Sequence, residues 1–290
     1  MKKYVCLRDD DTCYHTSIGE LENAYGELWG TLPITLAVVP FIHGSLEIMN
    51  QIEEPKYDNL REWQINATPE ELTRFHKIYP IGDNIPLVSA LRPLINKGTI
   101  EIAQHGVNHR YNERGPEMLS DEMGYRAIRD GKEYLERLFN TKVLFIVPPS
   151  NTIDVKCLSY IKRVGLNLYS SGRIVRNNSD KPAISVNRIL RGISKRIIGK
   201  YASPIISWRG VSQISAHTYV HFMKYEDILY VLKDDLNRYG FTSIGTHYTS
   251  FSESGYKENF HRIISELRDI EGVEFLTVSK YFDLLKAKYK

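Results

Sequence analysis

Two stretches of this sequence hold residue types that can do chemistry together. Near its start stands Arg8-Asp9-Asp10-Asp11-Thr12, and much further on comes Gln104-His105-Gly106-Val107-Asn108-His109. Three consecutive carboxylates repel one another and are poor strand formers, so a counter-charge is expected beside them. Two histidines four apart share one face if the segment opens a helix, and both imidazoles then reach a single cation. Neutral imidazole suits zinc and other borderline transition metals, and an added carboxylate completes a three-ligand face that leaves a position open for water. An isolated HxxxH pair is more often structural; the aspartate run beside it makes metal binding the preferred reading. His247, in Gly245-Thr246-His247-Tyr248, has the side chain suited to proton transfer. His217 follows another apolar run, whereas His15, His43, His76, His221 and His261 match no constellation and read as packing or surface residues.

The elements that must position these groups are short apolar runs, each ending where the chemistry begins. Tyr4 to Leu7 reads as a strand that stops at the aspartates, and Thr99 to Ala103 as one that leads into the histidine pair. Lys142 to Val147 precedes Pro148-Pro149-Ser150-Asn151, and Thr242 to Thr246 precedes His247. Helical spacing covers Ile18 to Trp29, Met118 to Phe139, Ile153 to Val164, Tyr225 to Tyr239 and Lys257 to Ile270. This alternation predicts an α/β fold, a distorted or partial (β/α) barrel of about seven parallel strands, with chemistry at the carboxyl ends of the strands. One domain over 1–290 is expected, with insertions at about 48–92 and 173–204 that break the alternation.

Composition narrows the class. A net charge of +3 over 290 residues, with basic and acidic residues intermixed, argues against nucleic acid as a partner. Three cysteines, Cys6, Cys13 and Cys157, form no CxxC and no even-numbered framework, which fits a reducing cytoplasm. No apolar run is long enough to cross a bilayer. Oligomeric state leaves no mark in the sequence.

Taken in order, RDDDT, HGVNH, PPSN and THYTS resemble the motifs of the polysaccharide deacetylase superfamily, the carbohydrate esterase family 4-like deacetylases, across most of the chain. The resemblance implies a partial (β/α) barrel and a metal-dependent hydrolase that removes an acetyl group from an N-acetylated sugar. One divalent ion is implied, zinc foremost, with cobalt, nickel and manganese as alternatives. Carried over position by position, it makes His105 and His109 metal ligands and His247 the general acid. Two adjacent aspartates serve as base and ligand. The preferred alignment gives Asp10 and Asp11; the other gives Asp9 and Asp10. Pro149, Asn151 and Tyr248 become substrate-facing positions, with a backbone N–H near Ser150-Asn151 for the oxyanion. The family's arginine before the double proline is Val147 here, and Arg8 and Arg209 are the candidates to replace it. The expected partner is an acetylated sugar or glycan precursor in surface polysaccharide synthesis. A phosphoesterase with a carboxylate-rich two-metal site and a non-catalytic glycan-binding barrel are the alternatives.

Overall fold

The computed structural model of the chain describes residues 2–45, 57–112, 114–120, 122–170, 173–175 and 205–288. Ten strands form the main sheet: β1 Lys3–Thr12, β2 Ile34–Val38, β3 Ile100–His105, β4 Phe145–Val147, β5 Asn167–Tyr169, β6 Ile205–Trp208, β7 Val211–Ile214, β8 His217–Thr218, β9 Phe241–His247 and β10 Val273–Leu276. Their order is β6-β7-β5-β4-β3-β2-β1-β9-β8, with β10 alongside the first half of β1. Every pairing is parallel except β6–β7, an antiparallel hairpin at one edge. The sheet curls until Tyr169 of β5 reaches Ser243 of β9 across the interior, hydroxyl to hydroxyl at 2.5 Å. The expected distorted barrel holds, with additional short strands at its margins.

Parallel strands covered on both faces need apolar residues on both, and β2, Ile-Thr-Leu-Ala-Val, is buried throughout. The two faces differ in size. Outward residues such as Val5, Leu7, Ile34, Leu36, Ile100 and Ile102 join the large core beneath the helices. Inward residues are smaller, Cys6, Ala37 and Ala103 among them, leaving room inside the barrel. The helices around it are α1 Ile18–Tyr25, α2 Ile85–Lys97, α3 Tyr125–Phe139, α4 Val155–Val164, α5 Tyr225–Tyr239, α6 Tyr256–Arg268 and α7 Val278–Lys288. Helix α7 fills the interior at the amino ends of the strands, stacking Tyr281 on Phe241 at 3.9 Å and setting Phe282 edge-on to Phe145.

Several element boundaries differ from expectation for local reasons. Strand β1 does not stop at Leu7; it runs through all three aspartates, because β9 pairs with it as far as Asp10↔His247. The helix expected from Met118 begins at Tyr125, after a tight turn over Glu117–Leu119 that buries Met118. Within the stretch read as an insertion to about 92, α2 is a regular crossover helix. Asn84 caps it by accepting from the Leu87 amide, and the left-handed Gly98 closes it. Two more helices, Tyr57–Asn66 and Pro69–His76, precede it, the second opened by a Thr68/Glu71 capping box. Of the second insertion, Arg173–Val175 pairs with Thr152–Asp154; 176–204 lies outside the described residues.

Candidate metal centre

Strand alternation distributes the aspartates. Arg8 and Asp10 face the barrel interior with Cys6, while Asp9 faces outward with Val5 and Leu7. Asp9 accepts the Tyr25 hydroxyl of α1 at 2.5 Å. Burial pushes its carboxyl well above the usual carboxylate range, against the opposing pull of that hydrogen bond. Asp11 would follow Asp9 outward in a regular strand. Instead the register with β2 slips between Asp9 and Thr12, and Asp11 takes a left-handed φ of 74°. The slip turns Asp11 inward, so adjacent aspartates face the same interior.

Asp11 meets both histidines of the pair. Its Oδ1 lies 2.9 Å from His105 Nε2 and 3.1 Å from His109 Nε2, and its Oδ2 lies 3.7 Å from His247 Nε2. Burial alone would raise the Asp11 carboxyl, but the His109 charge and the two imidazole hydrogen bonds hold it well below its ordinary value. Burial works against a charged His109, yet the adjoining Asp11 carboxylate carries its pKa up to about 9.

The histidines do not open a helix. His105 ends β3, and the chain then makes a tight loop with left-handed Gly106 (φ 55°) and His109 (φ 54°). The buried Glu117 holds this loop, accepting the amides of Val107 at 2.7 Å and Asn108 at 2.9 Å. Its carboxyl is raised by burial, with those two amides opposing the shift. A Cβ on Gly106 would overlap the Glu117 carboxylate, so glycine is required there on two counts. Gln104 points outward and ties the loop to α3, donating to Gly106 O at 2.9 Å and Ile128 O at 3.3 Å.

Hydrogen bonding tests whether these side chains fit a metal. The Val147 carbonyl only accepts, so His105 must donate to it from Nδ1, at 3.0 Å. A neutral His105 then presents an Nε2 lone pair to an Asp11 oxygen that also carries lone pairs. Two acceptors at 2.9 Å need a proton or a cation between them. The ligand atoms of Asp11, His105 and His109 all lie within 4.8 Å of one another, and two nitrogens with one oxygen form a donor set suited to a borderline divalent ion. The backbone carbonyl behind His105 orients the ring as outer partners of metal ligands do. The residues fit the group.

Asp10 stands beside this cluster in a different setting. Its Oδ2 accepts from Arg8 at 2.8 Å, while its Oδ1 is buried without a hydrogen-bond partner among the described residues. Arg8 is fully buried and also donates to the Tyr169 carbonyl at 2.8 Å and to Asn151 Oδ1 at 3.3 Å. Opposite it, a Cβ at Gly245 would come within 3.1 Å of the guanidinium, so that glycine makes the space Arg8 occupies. Of the two arginines that could stand in for the family's, Arg8 reaches Asp10; Arg209 sits in the exposed turn between β6 and β7.

The substrate-facing expectations fall differently. Asn151 lies at the site, bonded to Arg8, to Ser170 at 2.8 Å and to Thr218 at 3.5 Å. Its own N–H is taken by Pro148 O at 2.9 Å. Pro149 is buried against the Gly106 loop. Tyr248 is buried too, its hydroxyl bonded to Thr16 at 2.9 Å. Glu117, Tyr25 and Gly245 support the site without any motif marking them. Ser170, Tyr169 and Thr218 complete the frame around Arg8 and Asn151 in the same unmarked way.

The chain superposes over 97% of its length on a family 4 acetyl xylan esterase from Clostridium thermocellum, solved in complex with a cobalt ion, with TM-score 0.50, 14% identity and 91% of that chain covered. The chain has a polysaccharide-deacetylase-like fold. This deacetylase-like barrel is also similar to the α-amylase AmyC from Thermotoga maritima (TM-score 0.53, 10% identity, 98% of this chain and 75% of that one). A 4-α-glucanotransferase from Thermococcus litoralis matches with TM-score 0.52 and 11% identity over 98% of this chain and 40% of that one. No family model matches the sequence, and no curated protein sequence does either. A barrel shared by proteins of different named activities leaves activity to the side chains inside it. No helix among the described residues is long and apolar enough to cross a membrane.

Proposed function

We propose that the chain is a metal-dependent deacetylase acting on an N-acetylated sugar. The observation that carries this reading is Asp11, His105 and His109 converging on one point beside an Asp10 that is held by Arg8. Asp11, His105 and His109 would hold one divalent ion, with zinc the first candidate. When bound, such an ion supplies Lewis-acid chemistry, polarising a carbonyl and acidifying water.

The chain's own groups supply the rest. Asp10 accepts a proton from the attacking water through Oδ1, since Arg8 occupies the other oxygen. Asn151 holds Arg8 in turn, and Tyr169 O fixes its other terminal nitrogen. A backbone N–H of the Ser150-Asn151 turn would donate to the oxyanion as the carbonyl becomes tetrahedral. His247, at the end of β9 and within 3.7 Å of Asp11, delivers a proton to the departing nitrogen, which is too basic to leave as an anion.

The two-metal phosphoesterase reading loses support because the third carboxylate, Asp9, turns away and bonds Tyr25. A non-catalytic binding barrel would have no need of a carboxylate held by Arg8 beside the three candidate ligand side chains. Acetate release from a panel of N-acetyl and O-acetyl sugars, measured with metal content, tests the proposal. Turnover of N-acetyl sugars that disappears on chelation and returns with added zinc is expected. Protein that carries metal but releases no acetate from any sugar would sink it.

A further inference from the structure

Beside the loop that carries the histidines lies a cavity of about 600 Å³ that the chemistry above does not use. Val107 and Asn108, which stand between the two histidines, form part of its wall, and Arg110 reaches into it directly after His109. Arg110 is half-buried and held from three sides. Its guanidinium lies over the Phe75 ring, 5.1 Å from the centroid. Its terminal nitrogens meet Nδ1 of His43 and Nδ1 of His76, each at 3.3 Å. His43 accepts as a neutral imidazole, since burial and then the Arg110 charge lower its pKa to about 4.

None of these three partners carries negative charge. Among the described residues no carboxylate lies within ion-pair distance of Arg110. Arg114, also in the wall, is paired with Asp154 at 3.0 Å. Glu117 is engaged by the Val107 and Asn108 amides, and Glu122, exposed at the rim, acts on Arg110 through its charge without pairing with it. A guanidinium has five N–H donors in a rigid fork, and the imidazoles take two. A pre-oriented, partly desolvated cation without an ion-pair partner among the described residues binds an incoming anion more strongly than a solvated one.

We propose that Arg110 anchors an anion subsite that takes a phosphate or carboxylate carried by the sugar, so that the preferred substrate is an acidic sugar. This rests on the deacetylase reading: His109 and Arg110 are consecutive, and one sugar bearing both an acetamido and an acidic group would span the metal centre and the cavity.

The test compares metal-loaded wild type, R110Q and R110K with N-acetylglucosamine, its 1-phosphate and the corresponding uronic acid, by calorimetry and by steady-state acetate release. Wild type should bind at least one acidic sugar about tenfold or more tightly than the neutral one, the better of the two identifying the anion. R110Q should erase that preference, and R110K, which keeps the charge and loses the fork, should restore part of it. Equal binding of acidic and neutral sugars by wild type overturns the subsite. So does a preference that survives in R110Q, which would place the anion on the metal instead. If no sugar releases acetate, the deacetylase reading fails, while the calorimetric preference and its loss in R110Q still decide the subsite.

Discussion

Replacing Arg8 with methionine isolates the charge pair at the centre of the barrel. Methionine keeps an unbranched stem of similar length and removes only the guanidinium. In the native protein the Arg8 side chain is 0% exposed and that of Asp10 4%, with 2.8 Å between them. Without Arg8, the Asp10 carboxylate, the Tyr169 carbonyl and the Asn151 amide oxygen all lose a donor. Breaking one side of a buried ion pair costs about 3–5 kcal/mol. In a chain of this size that lowers Tm by roughly 5–8 °C. The double variant Arg8→Met/Asp10→Asn removes both charges and should recover about 2 kcal/mol or more of the loss, because the uncompensated carboxylate is gone. Thermal denaturation of the wild type, both single variants and the double variant closes the cycle. Metal content should survive throughout, since Arg8 touches Asp10 and not Asp11. Additive losses in the cycle would mean that Arg8 acts by packing alone, and the account of how Asp10 is held would be wrong.

Further outcomes follow from the same geometry. Asp11→Asn should lose metal by elemental analysis, whereas Asp10→Asn should keep it and lose about 10²–10⁴-fold in acetate release. Asp9→Asn should keep both and lose about 1–3 kcal/mol of stability in denaturant titration, through its bond to Tyr25. Gly106→Ala should weaken metal binding, because the new Cβ displaces Glu117 and the backbone must keep a left-handed φ; equilibrium dialysis with zinc would register it. His43, depressed to about 4 when folded, resists protonation that the unfolded chain accepts near 6.5. Its contribution is therefore complete above about pH 6.5 and lost as pH falls toward 4. His43→Gln should flatten the stability profile in that window, and an unchanged slope in urea titrations at stepped pH would refute the assignment.

Much of this arrangement was legible from strand ends. Parallel strands put chemistry at their carboxyl termini, so Asp10, Asp11, His105 and His247 could be gathered from three separate segments before any coordinates. The division of labour among the aspartates could not. It depends on a register slip after Asp9, a three-dimensional fault in β1–β2 pairing that leaves no residue type behind. No helix forms at HxxxH because Glu117, buried eight positions past His109, captures the Val107 and Asn108 amides. Arg8 could be suspected but not chosen over Arg209, since the choice turns on the space left by a glycine on β9. The start of α3 was misread because Met118 is buried by a turn with helix-like spacing.

Strand β1 holds the proposed base and one proposed ligand, yet its neighbours come from both ends of the described chain. It pairs with β2 on one side, while β9 and β10, more than two hundred residues later, complete its surroundings. Such pairing gives a high contact order, and folding that waits on distant partners is slow. During synthesis the aspartates therefore emerge more than two hundred residues before the β9 and β10 strands that flank them. Their mutual repulsion keeps this segment from settling early, and metal uptake is expected as a late event that locks a barrel already closed.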